Sequence, residues 1–428
     1  MNTKTELLEE LDRTDRRTLE LLDSLDDEQL NVPYEPGINP PVWELGHAAF
    51  FYEYFVLRAL DHTGPAMPGY DEIWDSFEIK HSDRWKEGVV PNKATTLDYY
   101  RRTIDSVRKR IEERDLTPTD HYLYKYSIFH QHMHIESMIW SRQTLGYASP
   151  PGSNVPREGA VSDAMAAGDA QVAGGSYTIG LPADSEQRAT THFGFDNEKP
   201  QFEMEIGSFK ISKTLVSNRE FLEFVEDAGY ENPELWSCGG RQWLATCRRI
   251  QPRYWTQSSD GSWLHQRFDR QQDLPLDVPV MHVTFWEAEA FARWAGRRLS
   301  TEFEWEAAAR GADGRLYPWG SEPDGSSVDM DGTSLGLLPV TALQDGAAPS
   351  GCLQMIGTAW EWTTSQFLPY NGYCVDMYPY MSTLQFGDHK VARGGSCATS
   401  SCLIRNTYRQ AYQPFRDDVF TGFRTCAL

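Results

Sequence analysis

The sequence predicts two unlike domains in one chain, an all-α bundle followed by an α+β domain rich in irregular structure. Three observations carry this. Up to Leu145 the apolar residues recur at helical spacing in four separate segments. From Gly146 to about Gly175 the chain turns small and polar and is broken by Pro and Gly. Beyond Gly175 short β-prone runs alternate with loops, interrupted by two helical patterns.

The first helix is TKTELLEELDRTDRRTLELLDSL, where Leu7, Leu8, Leu11, Leu19, Leu22 and Leu25 follow a 3.6-residue period. The second, PPVWELGHAAFFYEYFVLRAL, opens on Pro40 and Pro41, and a helix accepts Pro at its first position because that N–H has no partner within the helix. The third is ATTLDYYRRTIDSVRKRIEER, and the fourth runs from about Thr119 to Leu145. Four helices of this length predict an up-down bundle over residues 1–146. The connection between the second and third, Asp61 to Lys93, is long and carries Trp74 and Trp85, and loops of that size in compact domains tend to serve function. Residues 147–174 read as a linker. Residues 175–428 form the second domain, with strands in SYTIGL, FEMEIGSFKIS and VARGGSC and helices in SNREFLEFVEDAG and FWEAEAFARWAGRR. No fixed-period repeat is present.

Composition bounds the function. With 428 residues, 40% hydrophobic and 24% charged, each domain is large enough for its own core. A net charge of -22 repels a phosphate backbone, which argues against a nucleic-acid partner and is otherwise a solubility feature. No apolar run is long enough to span a membrane and the charged N-terminus lacks a signal core, so a cytoplasmic location is expected. The seven cysteines all lie in the second half and form no CxxC pair, as expected of thiols in a reducing compartment.

The chemistry is concentrated in SIFHQHMHIESMIW, Ser127 to Trp140. His130 and His134 are spaced i, i+4 and share one helix face, while His132 points to the far side. Two imidazoles on one helix are half a metal site, and a full one needs a ligand from elsewhere. His47, in WELGHAAFF on the second helix, is the best third ligand, because bundles build metal sites from inward residues on facing helices. His62, His81 and His192 are alternatives in loops. Glu136 follows His134 by two, off the shared face, and is a candidate to orient a ligand from behind. On residues alone, a satisfied polar pair competes with metal binding.

PVMHVTFWEAEAFARWAGRRLSTEFEWEAAARG (Pro279 to Gly311), YPWG, GTAWEWTTS, ARGGSC and FTGFR follow one another over about 150 residues. Together they resemble the formylglycine-generating, or sulfatase-modifying, fold, which is a C-type-lectin-like α+β domain. The N-terminal part resembles a DinB-type four-helix bundle, whose H-x-x-x-H-x-E motif is matched by His130, His134 and Glu136, with His47 following W-x-L-G. The pairing of the two resembles the ergothioneine-biosynthesis sulfoxide synthases, along with the ovothiol and selenoneine synthases. That resemblance implies a non-haem Fe(II), O2-dependent oxidoreductase that joins sulfur or selenium to C2 of the hercynine imidazole. It implies a three-His site from His47, His130 and His134 with positions left for O2 and substrate, and leaves His132 unassigned. Iron(II) held by neutral imidazoles keeps its charge and attracts a thiolate or selenolate.

The resemblance also implies an active-site Tyr as proton donor. The segment QFLPYNGYCVDMYPYMS offers Tyr370, Tyr373, Tyr378 and Tyr380; Tyr373 is favoured by spacing and Tyr378 comes next. Gln410 and Tyr412 are expected to touch hercynine and Arg416 the donor, in a cleft between domains. Arg405 and Arg409 are expected to be structural, and Trp286, Trp294, Trp360 and Trp362 core.

Departures from the family pattern bear on the donor. The L-L-S-R-P-like loop of enzymes using γ-glutamylcysteine is replaced by FEIKHSDRWKEGVVPNKATT, where Arg84 and Lys80 restore part of the charge. The W-D-x-P-x-R-R stretch becomes AYQPFRDD, gaining Asp417 and Asp418. A less anionic donor is therefore expected, a selenosugar before cysteine or γ-glutamylcysteine. Cys397 and Cys402 start early relative to the copper-binding pair of formylglycine-generating enzymes, and are read as core thiols. Two other classes compete: a non-catalytic lectin-like binding protein, and a zinc or nickel thiol transferase of DinB type.

Overall fold

The computed structural model describes residues 3–153, 168–183, 193–322 and 325–428. Its chain forms two compact units: Met1–Pro151 with Pro182–Phe195 and Val375–Tyr380, and Gly152–Leu181 with Asp196–Cys374 and Met381–Leu428. The first unit thus gathers two short segments from far along the chain, which the contiguous division at residues 146 and 175 does not foresee.

In the first unit four long helices form as the pattern predicts. We label them α1 (Lys4–Asp23), α2 (Pro41–Tyr52), α4 (Lys93–Glu113) and α5 (Pro118–Leu145), with the short α3 (Asp71–Trp74) between. Their ends follow from local chemistry. The Thr3 hydroxyl accepts from the Glu6 amide while the Glu6 carboxylate accepts from the Thr3 amide, and Thr117 and Asp120 repeat this box at α5. Pro41 opens α2, and Gly146 closes α5 at φ 66°, a left-handed conformation that glycine adopts without strain. Leu7, Leu11, Leu22 and Leu25 are buried as expected, whereas Leu8 and Leu19 are half-exposed on the flanks of the α1 stripe.

The second helix does not run evenly to residue 60. After Tyr52 it widens into a π-helical stretch, Glu53–Arg58, around the buried Glu53 carboxylate. That carboxylate accepts from the Tyr99 hydroxyl and pairs with Arg58 at 2.8 Å. The long connection after it is ordered: α3 and a 3-10 turn over His81–Trp85 fold back along α2.

The second unit is built on two four-stranded sheets. One runs Asp169–Val172, Phe209–Ser212, Thr425–Ala427, Arg297–Leu299, all antiparallel. The other runs Arg409–Tyr412, Lys390–Arg393, Trp360–Gln366, Thr421–Gly422, the last pair parallel. Asp169–Val172 corrects the linker reading of 147–174: its register opposite Phe209–Ser212 is a distant pairing that local composition cannot show. Residues 154–167 of that reading lie outside the described residues. Both expected helices form, at Asn218–Glu226 and Phe285–Trp294, and the pattern missed Cys238–Cys247, Glu302–Arg310 and a three-stranded sheet over residues 255–273.

Buried ion pairs tie the family-like motifs to one another. Arg393 of ARGGSC reaches Glu306 at 2.5 Å and Glu302 at 3.3 Å, both from EFEWEAAAR. Arg424 of FTGFR holds Glu361 of WEWT at 2.6 Å. Arg409 holds Glu302 at 2.8 Å, and Arg405 grips Glu198. Arg405 and Arg409 are thus structural, and Trp360 and Trp362 are core at 0% and 1% exposure. Trp286 and Trp294 are not core: both are half-buried, Trp286 against Trp243 and Trp294 donating to Asp227. Cys397 is buried, while Cys402 is only partly so, and none of the seven cysteines is in a disulfide.

Candidate metal centre

The five residues WELGH on α2 each have a separate task. His47, on the buried face, donates its Nδ1 proton to the Trp74 carbonyl at 2.6 Å, which leaves Nε2 bare. Trp43, one turn earlier, stacks on His47 with centroids 4.8 Å apart and donates to the Ile73 carbonyl. Gly46 lets the Trp74 ring lie against the helix; a Cβ there would sit 2.2 Å from that ring. Leu45 is core. The Glu44 carboxylate, 1% exposed, meets Nδ1 of His134 on α5.

His130 and His134 are one turn apart on α5, with their Nε2 atoms 3.2 Å apart. The ligand atoms of His47, His130 and His134 all lie within 4.8 Å of one another. Two nitrogens each about 2.1 Å from one ion, at roughly a right or tetrahedral angle, stand about 3.0–3.4 Å apart, so the α5 pair is already spaced as neighbouring ligands. His130 is held by stacking, its ring 3.7 Å from Phe51.

Burial favours the neutral, ligand form of His47 and His130. Burial, then the neighbouring His134, lowers His47 to about 3, and the same causes hold His130 far below its ordinary value. Burial alone would raise Glu44, but His134 and hydrogen bonds from Asn39 and Ser137 hold its carboxyl at about 2. Three imidazoles converging on one point, with one carboxylate behind, fit a divalent cation.

His132 points away, as the helix-face argument requires. Its Nε2 meets Glu10 at 2.6 Å and Thr14 at 2.8 Å, both on α1. His81 bonds the Ile38 carbonyl and His62 sits exposed at a helix end, so neither joins the three. His192 lies outside the described residues. Glu136 is buried, but the carboxylate that meets His134 is that of Glu44, three residues before His47. Sequence reasoning missed Glu44, although its one-turn spacing from His47 places both on one face of α2.

The tyrosines reorder. Tyr378 lies in the first unit, 7% exposed, with its ring 5.9 Å from His130 and edge-on to Phe51 and Phe55. Its hydroxyl is 3.1 Å from Ser76 Oγ, and burial raises it above the ordinary phenol range. Tyr373, favoured by spacing, belongs to the second unit and donates to Asp196 at 2.5 Å. Tyr370 packs under Arg409, and Tyr380 is exposed beside Phe77.

Of the three cations considered for the donor, Lys80 is exposed and the two arginines are engaged. Arg416 forms a two-point pair with Asp418 at 2.5 and 2.6 Å and lies over the Tyr412 ring. Asp417 is held by Arg249 and Arg253, so the added acids are locally neutralised and do not leave the segment anionic. Arg84 is buried over Trp43 and bonded to Asn39 and the Ser76 carbonyl. Gln410 is half-buried and accepts from the Ala411 amide.

Among known proteins, residues 158–427 match the sulfatase-modifying factor enzyme 1-like domain and residues 10–138 the DinB superfamily. The chain is 33% identical over 442 residues to a hercynine oxygenase of Mycolicibacterium smegmatis, with 99% of each chain covered. It is 33% identical over 434 residues to a hercynine oxygenase of Mycobacterium tuberculosis, again with 99% of each covered. A formylglycine-generating enzyme of Mycobacterium tuberculosis is 33% identical over 226 residues, which cover 45% of this chain and 75% of that protein. Full-length likeness, the two domain matches and the three-imidazole cluster converge: the chain belongs to the hercynine oxygenase family, of the ergothioneine sulfoxide synthase type.

Proposed function

We propose that the protein is an Fe(II)- and O2-dependent oxygenase that joins a selenium or sulfur donor to C2 of the hercynine imidazole. The observation that carries this reading is the convergence of His47, His130 and His134 in a chain that matches hercynine oxygenases end to end. When bound, ferrous iron would supply the reduction of O2 and the oxidation that forms the new bond. The residues do the rest. Glu44 and the Trp74 carbonyl fix the tautomers of His134 and His47 so that Nε2 faces the ion. Phe51, Phe55 and Tyr378 keep water from that side of His130. Tyr378, buried with its proton retained, is the proton donor, in place of Tyr373. Gln410 and Tyr412 are proposed as hercynine contacts on the family resemblance alone.

For the donor we propose a selenosugar, with cysteine or γ-glutamylcysteine as the second reading. Arg416 is neutralised by Asp418 and Arg84 is spent inside the bundle, so neither offers a free guanidinium to a dicarboxylate. Purified protein loaded anaerobically with Fe(II), then given hercynine, O2 and each donor in parallel, tests this. The selenosugar is expected to give the highest kcat/KM. γ-Glutamylcysteine as the best donor would contradict the donor reading, and no O2 uptake with any donor would contradict the oxygenase reading.

A further inference from the structure

Arg84 sits where three separate routes into the candidate centre begin. Its NH1 donates to the Asn39 side-chain oxygen, Asn39 donates to Glu44 Oε1 at 3.0 Å, and the other Glu44 oxygen meets His134. Its guanidinium lies 3.8 Å from the Trp43 ring centroid, and Trp43 stacks on His47 at an interplanar angle of 11°. Its NH2 donates to the Ser76 carbonyl at 3.0 Å, and the Ser76 hydroxyl meets the Tyr378 hydroxyl at 3.1 Å. Each route is two or three contacts long and ends on a different group: His134, His47 or Tyr378.

The surroundings reinforce this. The carbonyls of Ile73, Trp74 and Ser76, at the end of α3, take up Trp43, His47 and Arg84 in turn. The chain from Asp61 to Lys93 is thereby pinned to α2 by two donors, Trp43 and His47, and braced internally by a third, Arg84. The planar fork is what permits this: two divergent N–H groups and a flat face serve three partners at once, which an ammonium cannot do. Glu44 is also a buried carboxylate, and a guanidinium one side chain away offsets its charge.

We propose that Arg84 is a positioning residue, one that fixes Tyr378 relative to the imidazoles and does not contact the donor. This rests on the reading above that the three histidines hold the metal and Tyr378 supplies the proton. A donor-contacting Arg and a positioning Arg differ in what its removal changes. Loss of a contact raises the donor KM, whereas loss of register lowers kcat at unchanged KM. Metal affinity is a poor reporter, because removing a nearby cation favours the ion while loosening His134 disfavours it. A ligand-field spectrum reports geometry without that cancellation.

The test uses full-length protein stripped of metal and reloaded with Co(II), alongside Fe(II) turnover, for Arg84→Met, Arg84→Lys and Asn39→Leu. The expected result is a displaced visible Co(II) spectrum in Arg84→Met, a kcat lower by about 10–100-fold, and a donor KM within about twofold of the parent. Arg84→Lys keeps the charge but not the fork, and is expected to resemble Arg84→Met. Asn39→Leu leaves Arg84 on Trp43 and Ser76 and cuts only the route to Glu44; it is expected to displace the spectrum while Tyr378-dependent steps persist. If Arg84→Met fails to fold, Arg84→Lys carries the test through its spectrum and its donor KM. A parental spectrum in the folded variants, with a donor KM raised tenfold or more in Arg84→Met, overturns the proposal in favour of a donor contact. Absence of any Co(II) spectrum in the parent protein refutes the metal reading, a failure distinct from this one.

Discussion

Each unit buries a cluster of polar side chains, and the two clusters are built differently. In the second unit every buried guanidinium of the family-like motifs faces a carboxylate: Arg393 with Glu302 and Glu306, Arg409 with Glu302, Arg405 with Glu198, Arg424 with Glu361. In the first unit three imidazoles turn their Nε2 atoms toward one another, with one carboxylate behind them. The closed pairs satisfy themselves, so they specify a scaffold. The imidazoles face one another with no carboxylate among them, and His130 and His134 share a single 3.2 Å contact between their Nε2 atoms. The proposed chemistry rests on the open cluster and the architecture on the closed one, although the closed one carries most of the recognisable motifs.

The largest expected break in that contrast is His47→Ala. Metal content after anaerobic loading should fall from roughly one ion per chain to background, while the apo-protein loses only about 1–3 kcal/mol as the buried Trp74 carbonyl gives up its donor. Glu306→Ala should do the reverse. It leaves Arg393 and Arg310 without a shared carboxylate in the core and should cost about 3–5 kcal/mol in urea unfolding, with metal content per folded chain unchanged. Tyr378→Phe probes function without either: metal content and stability stay near parental, and turnover should fall by about a hundredfold or more. The smallest effect is expected of His132→Ala. It should retain metal, since His132 faces α1, and lose about 1 kcal/mol as Glu10 and Thr14 give up a buried partner. Metal loss in His132→Ala would break the helix-face argument.

Much of the site could be read from the chain because helical geometry is local. The i, i+4 spacing put His130 and His134 together and set His132 apart, and the structure keeps both results. Glu44 was harder, since its partner lies 90 residues away on another helix. Tyr373 and Tyr378 could not be ranked by spacing, because Val375–Tyr380 leaves the surrounding fold and joins the first unit. The strand Asp169–Val172 was hidden for a similar reason: its identity comes from Phe209–Ser212, not from its own composition. The charge around AYQPFRDD cannot be counted from that stretch alone. Asp418 does quench Arg416, but Arg249 and Arg253 reach Asp417 from some 160 residues upstream and cancel it.

The most direct test of the central claim is an anomalous difference map recorded at the iron edge on crystals loaded with Fe(II) without oxygen. The account predicts a single strong peak about 2.0–2.2 Å from Nε2 of His47, His130 and His134 together. A peak at any other place in the chain, or one touching fewer than all three imidazoles, would contradict it.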